Sequence, residues 1–224
     1  MGTRGAVGFR VDGVDRVVYN HSDSYPEGLG HSTLEFVVEQ NVNHRGNLVP
    51  ALAEQARKMI PVEEDAVPTP EQIKELERFT DRTVNGGKVD FYSVLRKTQG
   101  HLDLMLEARY YAGNEGFLLD GLFCEHAYII NLDSGMLEYY SGFVTMEHAD
   151  KADKLGRYWH ADVLQKQREE AGGKPVEYGP VALCAEFPLG DINKVEDVEV
   201  YVKRMSAAYK ALRVMLKEDD DDDE

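Results

Sequence analysis

Two hairpin turns constrain this chain more than any other feature. The runs Thr3 to Val11 and Arg16 to His21 are rich in β-branched residues and flank Asp12-Gly13, a dipeptide that closes tight hairpins because glycine tolerates positive φ. Cys124 to Leu132 and Met136 to Phe143 repeat the pattern around Asp133-Ser134-Gly135. A further short apolar strand is predicted over Pro180 to Leu189. Helical spacing fills the intervals without regular alternation of strand and helix. The expected fold is therefore α+β, a single domain over residues 1–217 with a largely antiparallel sheet packed by helices.

The helical stretches carry their own start and stop signals. Ser32 with Glu35 reads as a capping box ahead of Leu34, Val37, Val38 and Val42. A second helix over Leu48 to Ile60 should end at Pro61, with a linker from Val62 to Pro70. Thr69, Pro70 and Gln72 open a third, with Leu76 and Phe79 facing inward and Asn85-Gly86-Gly87 as its stop. Asp90 to Tyr111 reads as mostly helical with a break at Gly100, and Ala149 to Ala171 as a charged surface helix around Trp159. A last helix presents Val198, Tyr201, Val202, Met205 and Leu212 as a stripe for the core.

Charge narrows the partners. The 41 acidic and 25 basic residues give a net charge of −16, a field that repels phosphate backbones, so nucleic acid is not an expected ligand. The acidic run Glu218 to Glu224 is expected to stay solvated and disordered, and a basic protein is the partner it would attract. No apolar run approaches the roughly 18 residues that cross a bilayer, and no basic-then-apolar leader opens the chain, so a cytoplasmic location without a membrane partner is expected. Cys124 and Cys184 lack CxxC spacing and read as reduced, buried thiols. No motif implies a cofactor.

Asn20, His21, Ser22, Asp23, Ser24 and Tyr25 place an amide, an imidazole, a carboxylate and three hydroxyls in succession before Gly28-Leu29-Gly30, a density of polar groups typical of a site. Asn20, Asp23 and Tyr25 are expected to act as one unit. Helix amides near Ser32 suit an anion. Arg4 and Arg10 share a face of the first strand and could hold a ligand carboxylate or phosphate, or pair with Asp15 or Asp23. His21 and Asp23 resemble a base and its orienting carboxylate, but Ser22 and Ser24 would face the other way on a regular strand. The same pair with His31 lacks the spacing of a metal motif, so no metal site is predicted. Cys124 and His126 share a side of a strand, yet Leu118, Leu119, Leu122 and Phe123 around Cys124 favour a neutral, buried thiol.

The segments TRGAVGFR and YNHSDSYPEGLG resemble the opening of a family of uncharacterised proteins from phages, bacteria and fungi, and AYIINLDSGMLEYYSGF followed by ALCAEFPLGDI is arranged as in its members. That resemblance implies an architecture without an activity. The same block is similar, more weakly, to the N-terminal-nucleophile hydrolases, in which a nucleophile on the first strand precedes an Asn and an Asp at the end of the second. The similarity implies an αββα-like fold with Thr3 as nucleophile beside Asn20 and Asp23, the free α-amine serving as base for its own hydroxyl. Removal of Met1 would expose Gly2, so this chemistry requires cleavage between Gly2 and Thr3.

The functional expectation is thus a small-molecule or peptide-amide site at the N-terminal cluster of an amidohydrolase-like enzyme. Thr3, Asn20, His21 and Asp23 would carry the chemistry, with Arg4, Arg10, Tyr25 and Ser32 around the ligand. The competing expectation is a non-enzymatic, virus-encoded interaction protein whose acidic surface engages a basic partner.

Overall fold

The Asp12-Gly13 turn folds as its chemistry dictates, both residues taking positive φ (54° and 75°) so that β1 (Gly5–Val11) and β2 (Val14–Asn20) pair antiparallel. The computed structural model describes residues 2–84, 86–172 and 174–217; the acidic run Glu218 to Glu224 lies outside the described residues. Downstream of the first hairpin come α1 (His31–His44), α2 (Leu48–Arg57), β3 (Ile60–Val62), α3 (Pro70–Glu75), α4 (Phe91–Val94), α5 (Leu102–Ala108) and β4 (Tyr110–Ala112). The second hairpin, β5 (His126–Asn131) and β6 (Met136–Ser141), precedes α6 (Ala152–Leu155), α7 (Ala161–Glu170), β7 (Ala182–Pro188) and α8 (Val195–Lys217).

Both hairpins enter one sheet of order β2-β1-β5-β6-β7. They meet through β1 and β5, which run parallel from Gly5 opposite His126 to Arg10 opposite Asn131; the remaining pairings are antiparallel. This is the α+β arrangement the turns predicted. The stacked sheets implied by the resemblance to N-terminal-nucleophile hydrolases do not form among the described residues, because the second sheet is only the three-residue pair β3 and β4.

Each face of the large sheet is covered differently. Val7, Phe9, Tyr128, Ile130 and Tyr139 pack against Leu34 and Val37 of α1, Leu52 of α2 and Met205 of α8, in one continuous core. On the reverse, Ala6, Val17, Ala127 and Ile129 meet Leu118, Cys124 and Tyr158 from segments with little regular structure. Every residue of β5 is buried as a result. Burying that much apolar surface is the main stabilising term in a fold of this size.

Local departures have local causes. Ser32 lies within α1 and makes no cap, because the helix is entered through a wide turn over Pro26–Gly30 instead of a free end. The Thr69 box does form, with Gln72 N–H donating to Thr69 Oγ1 at 3.3 Å and Thr69 N–H to Gln72 Oε1 at 2.9 Å. The second helix stops at Arg57, and Ile60 N–H instead donates to Arg109 O at 2.6 Å, drawing Pro61 into β3. Trp159 is not on a surface helix: Gly156, at φ 86°, breaks the segment, and the buried indole N–H donates to Pro180 O at 3.2 Å. Cys124 is a fully buried free thiol, pushed up in pKa by that burial, and Cys184 is a half-buried one. Among the described residues no helix is long and apolar enough to cross a membrane.

Candidate functional site

Ser24, fully buried, organises the N-terminal polar cluster. Its N–H donates to Thr3 O (3.1 Å), its hydroxyl accepts from Asn20 Nδ2 (2.8 Å), and its carbonyl accepts from the Tyr128 phenol (2.9 Å). Tyr128 belongs to β5, so the cluster is anchored to the central strand. Asn20 Nδ2 also donates to Ser22 O at 2.5 Å. Asp23, at φ 56°, contributes its main-chain carbonyl, which accepts from Leu29 N–H at 2.8 Å, while its carboxylate is exposed. A Cβ on Gly28 would stand 2.0 Å from that carbonyl, so only glycine fits there. The Pro26–Gly30 turn is closed by Gly30 N–H reaching back five residues to Tyr25 O (3.4 Å), a π-type geometry that recurs at functional sites.

The cluster divides the expected residues between two grooves. A polar groove of about 280 Å³ takes Asn20, Asp23 and Ser32, together with Glu27, His31 and His101. A larger one of about 580 Å³ takes Thr3, Arg4 and His21. Thr3 therefore lines a different groove from Asn20 and Asp23. Tyr25 is exposed and lines neither. Arg10 sits at the other end of β1, paired with Asp15 at 3.1 Å and Asp133 at 4.0 Å. Among the described residues no three His, Cys, Asp or Glu side chains converge to hold a metal ion.

The larger groove is walled by groups the sequence did not single out. Leu122, Phe123 and Phe143 are 39%, 41% and 42% exposed, an unusual grouping of large apolar side chains beside charge. The Arg4 guanidinium lies 4.6 Å from the centroid of the Phe123 ring. Main-chain and side-chain bonds clamp the two segments together: Arg4 N–H donates to Glu125 Oε1 (2.9 Å) and Glu125 N–H to Arg4 O (3.1 Å). The His21 imidazole engages the Tyr19 hydroxyl through Nδ1 at 3.0 Å.

Phe143 is the strained residue of this wall. Its φ of 55° is left-handed, a region that costs a bulky side chain roughly 1–2 kcal/mol. It is held there by its N–H donating to Gly121 O (2.7 Å) and by Arg213 Nη1 donating to its carbonyl (2.9 Å). Strain fixed from both sides of a residue, with its ring left in a groove, is the pattern found at ligand sites. Phe123 lies in the turn that precedes β5, its N–H donating to Asp120 O at 3.1 Å, so strand alternation gave no signal for it.

Toward the other end of β1 the charges are closed upon themselves. Arg157 donates to Glu138, to Asp15 Oδ1 (3.2 Å) and to the Tyr158 hydroxyl (2.9 Å), and Asn131 Nδ2 donates to Glu138 Oε1 (2.7 Å). No family model matches the chain, and no curated protein or solved structure shows significant similarity to it.

Proposed function

We propose that this is a cytoplasmic protein that binds a small molecule, or the amide-bearing end of a peptide, in the groove walled by Thr3, Arg4, His21, Phe123, Glu125 and Phe143. One observation carries the reading: a strained Phe143 leaves an aromatic ring partly open to solvent in the groove that Arg4 and His21 also line. The groove's volume of about 580 Å³ falls within the roughly 300–1,000 Å³ of small-molecule sites. Fragment titration of the whole chain, followed by amide-proton NMR, tests it. Shifts should cluster on Thr3, Arg4, His21 and Phe123; shifts confined to the Asn20 groove or scattered over the surface reject the assignment.

A hydrolytic reading is supported by the position of Thr3 on this groove wall. In it, Thr3 would become the first residue and its amine the base for its hydroxyl. Asn20 and Asp23 then act at a distance, since the Asn20 amide is engaged by Ser22 and Ser24, and His21 and Glu125 are the titratable neighbours within the groove. An intact mass beginning at Thr3, with activity lost in Thr3→Ser only in part and in Thr3→Ala fully, is the expected result. A chain that retains Gly2 while remaining active removes the mechanism.

A further inference from the structure

We propose that the ligand of this groove is an aromatic monocarboxylate, held by Arg4 through its carboxylate and by Phe123 and Phe143 through its ring. The inference rests on the reading of the groove as a binding site and adds the chemical class of the occupant.

The groove holds a guanidinium, that of Arg4, without a carboxylate partner. Arg10 pairs with Asp15, Arg57 with Asp12, Arg78 with Glu107, and Arg157 with Asp15 and Glu138, whereas Arg96 and Arg204, like Arg4, lie over aromatic rings without an ion pair among the described residues; of these three, Arg4 alone lines the groove. Among the described residues no carboxylate lies within ion-pair distance of the Arg4 guanidinium. Glu125 is close in space, but its Oε1 accepts from the Arg4 main-chain N–H, not from the guanidinium. What the guanidinium does have is an aromatic ring beneath it. None of its N–H groups has a hydrogen-bond partner among the described residues, and a guanidinium presents them as a planar fork matched to the two oxygens of a carboxylate.

Charge number separates carboxylate from phosphate. A phosphate dianion in this groove would meet one fixed cation, a histidine and the opposing carboxylate of Glu125, whereas a monoanion is balanced by Arg4 alone. The remaining wall then dictates the body of the ligand. Phe123, Phe143 and Leu122 present apolar surface to solvent, and aromatic rings gain on one another beyond the area they bury.

Phenylacetate, phenylacetamide and phenyl phosphate, titrated separately into the full chain and followed by amide-proton NMR, form the test. Phenylacetate should bind at the groove at least about tenfold more tightly than the amide, the size of one charge-assisted hydrogen bond. Arg4→Gln should abolish that difference between acid and amide, and Arg4→Lys should restore part of it, since a point charge lacks the fork. Equal binding of acid and amide to the wild type overturns the carboxylate while leaving the groove as a site, a comparison that needs no variant to fold. Tighter binding of phenyl phosphate overturns it in favour of a dianion. If none of the three shifts the groove resonances, the proposal and the binding-site reading fail together.

Discussion

Arg157 and Arg4 each lay a guanidinium 4.6 Å from the centroid of an aromatic ring, Tyr158 in one case and Phe123 in the other, and there the likeness stops. Arg157 is enclosed: two carboxylates and two phenols accept from its Nη atoms, and Glu138 among them is only 4% exposed at its side chain. Arg4 stands at the rim of a groove with no acid on its edge. The first arrangement uses a cation to close the reverse face of the sheet over β2 and β6. The second leaves the same chemistry available to something outside the chain.

The largest expected effect comes from opening the closed end. Arg157→Met should lower stability by about 3–5 kcal/mol, because it strands the buried carboxylate of Glu138 without its counter-charge and leaves the half-buried Asp15 to Arg10 alone. Urea unfolding measures it as a fall in midpoint with unchanged slope. A loss below about 1 kcal/mol would class Arg157 with exposed pairs such as Arg57 and Asp12, and the contrast with Arg4 would lose its basis.

Next in size is a pH effect one layer beneath the open end. His126 is buried at the start of β5, its Nδ1 2.9 Å from the Tyr139 hydroxyl, and burial, aided by the charge of Arg213 against a small opposing pull from Glu27, pushes its pKa down to about 4. The unfolded chain takes up this proton near pH 6.5 and the folded protein does not, so the stabilisation is complete above that pH and is lost as pH falls toward 4. By pH 5 the loss should reach about 2 kcal/mol. Glu115, raised by burial, acts in the opposite sense, so the measurement is the difference between wild type and His126→Gln across that range. Identical pH dependence in the two would mean that water reaches His126.

The cluster between the two ends gives a smaller, divided response. Asn20→Ala leaves the buried Ser24 hydroxyl without its donor and should cost about 1–2 kcal/mol. Asp23→Asn alters only an exposed carboxylate and should stay within about 0.5 kcal/mol. Equal losses in thermal melts would restore the idea that the two side chains form one unit.

What could be read beforehand follows from range. Hairpins are set by neighbouring residues, so Asp12-Gly13 and Asp133-Ser134-Gly135 declared them, and the amphipathic stripe of α8 declared a core helix with Val198, Val202 and Met205 buried as expected. The parallel joining of β1 to β5 depends on contacts more than a hundred positions apart and left no local trace. The same holds for the site. Thr3, Arg4 and His21 were legible as polar groups near the first hairpin, but Phe123, Glu125 and Phe143 reach them only through that long-range pairing. The density of polar residues from Asn20 to Tyr25 was itself ambiguous: most of it builds the turn around Ser24.

Phe143→Gly sharpens the contrast from the functional side. Glycine relieves the left-handed φ, worth about 1–2 kcal/mol, against an entropic cost of about 0.5–1 kcal/mol and a lost edge contact with Tyr178, so stability should change by no more than about 1 kcal/mol. Phenylacetate binding should weaken in the same protein. A large destabilisation would show that the ring is held for packing.

The smallest stability effect is predicted for Arg4→Gln. Its guanidinium has no ion pair to lose, and stacking on a ring that is 41% exposed contributes no more than about 0.5–1 kcal/mol, part of which the glutamine stem retains. The main-chain bonds between Arg4 and Glu125 do not depend on the side chain, so the clamp survives. Melting should therefore shift by about 0.5 kcal/mol or less, at the opposite extreme from Arg157→Met. If Arg4→Gln instead destabilises by 2 kcal/mol or more, on the order of a buried charge-assisted bond, then Arg4 is answered within the chain after all, and the two arginines do the same work at the two ends of β1.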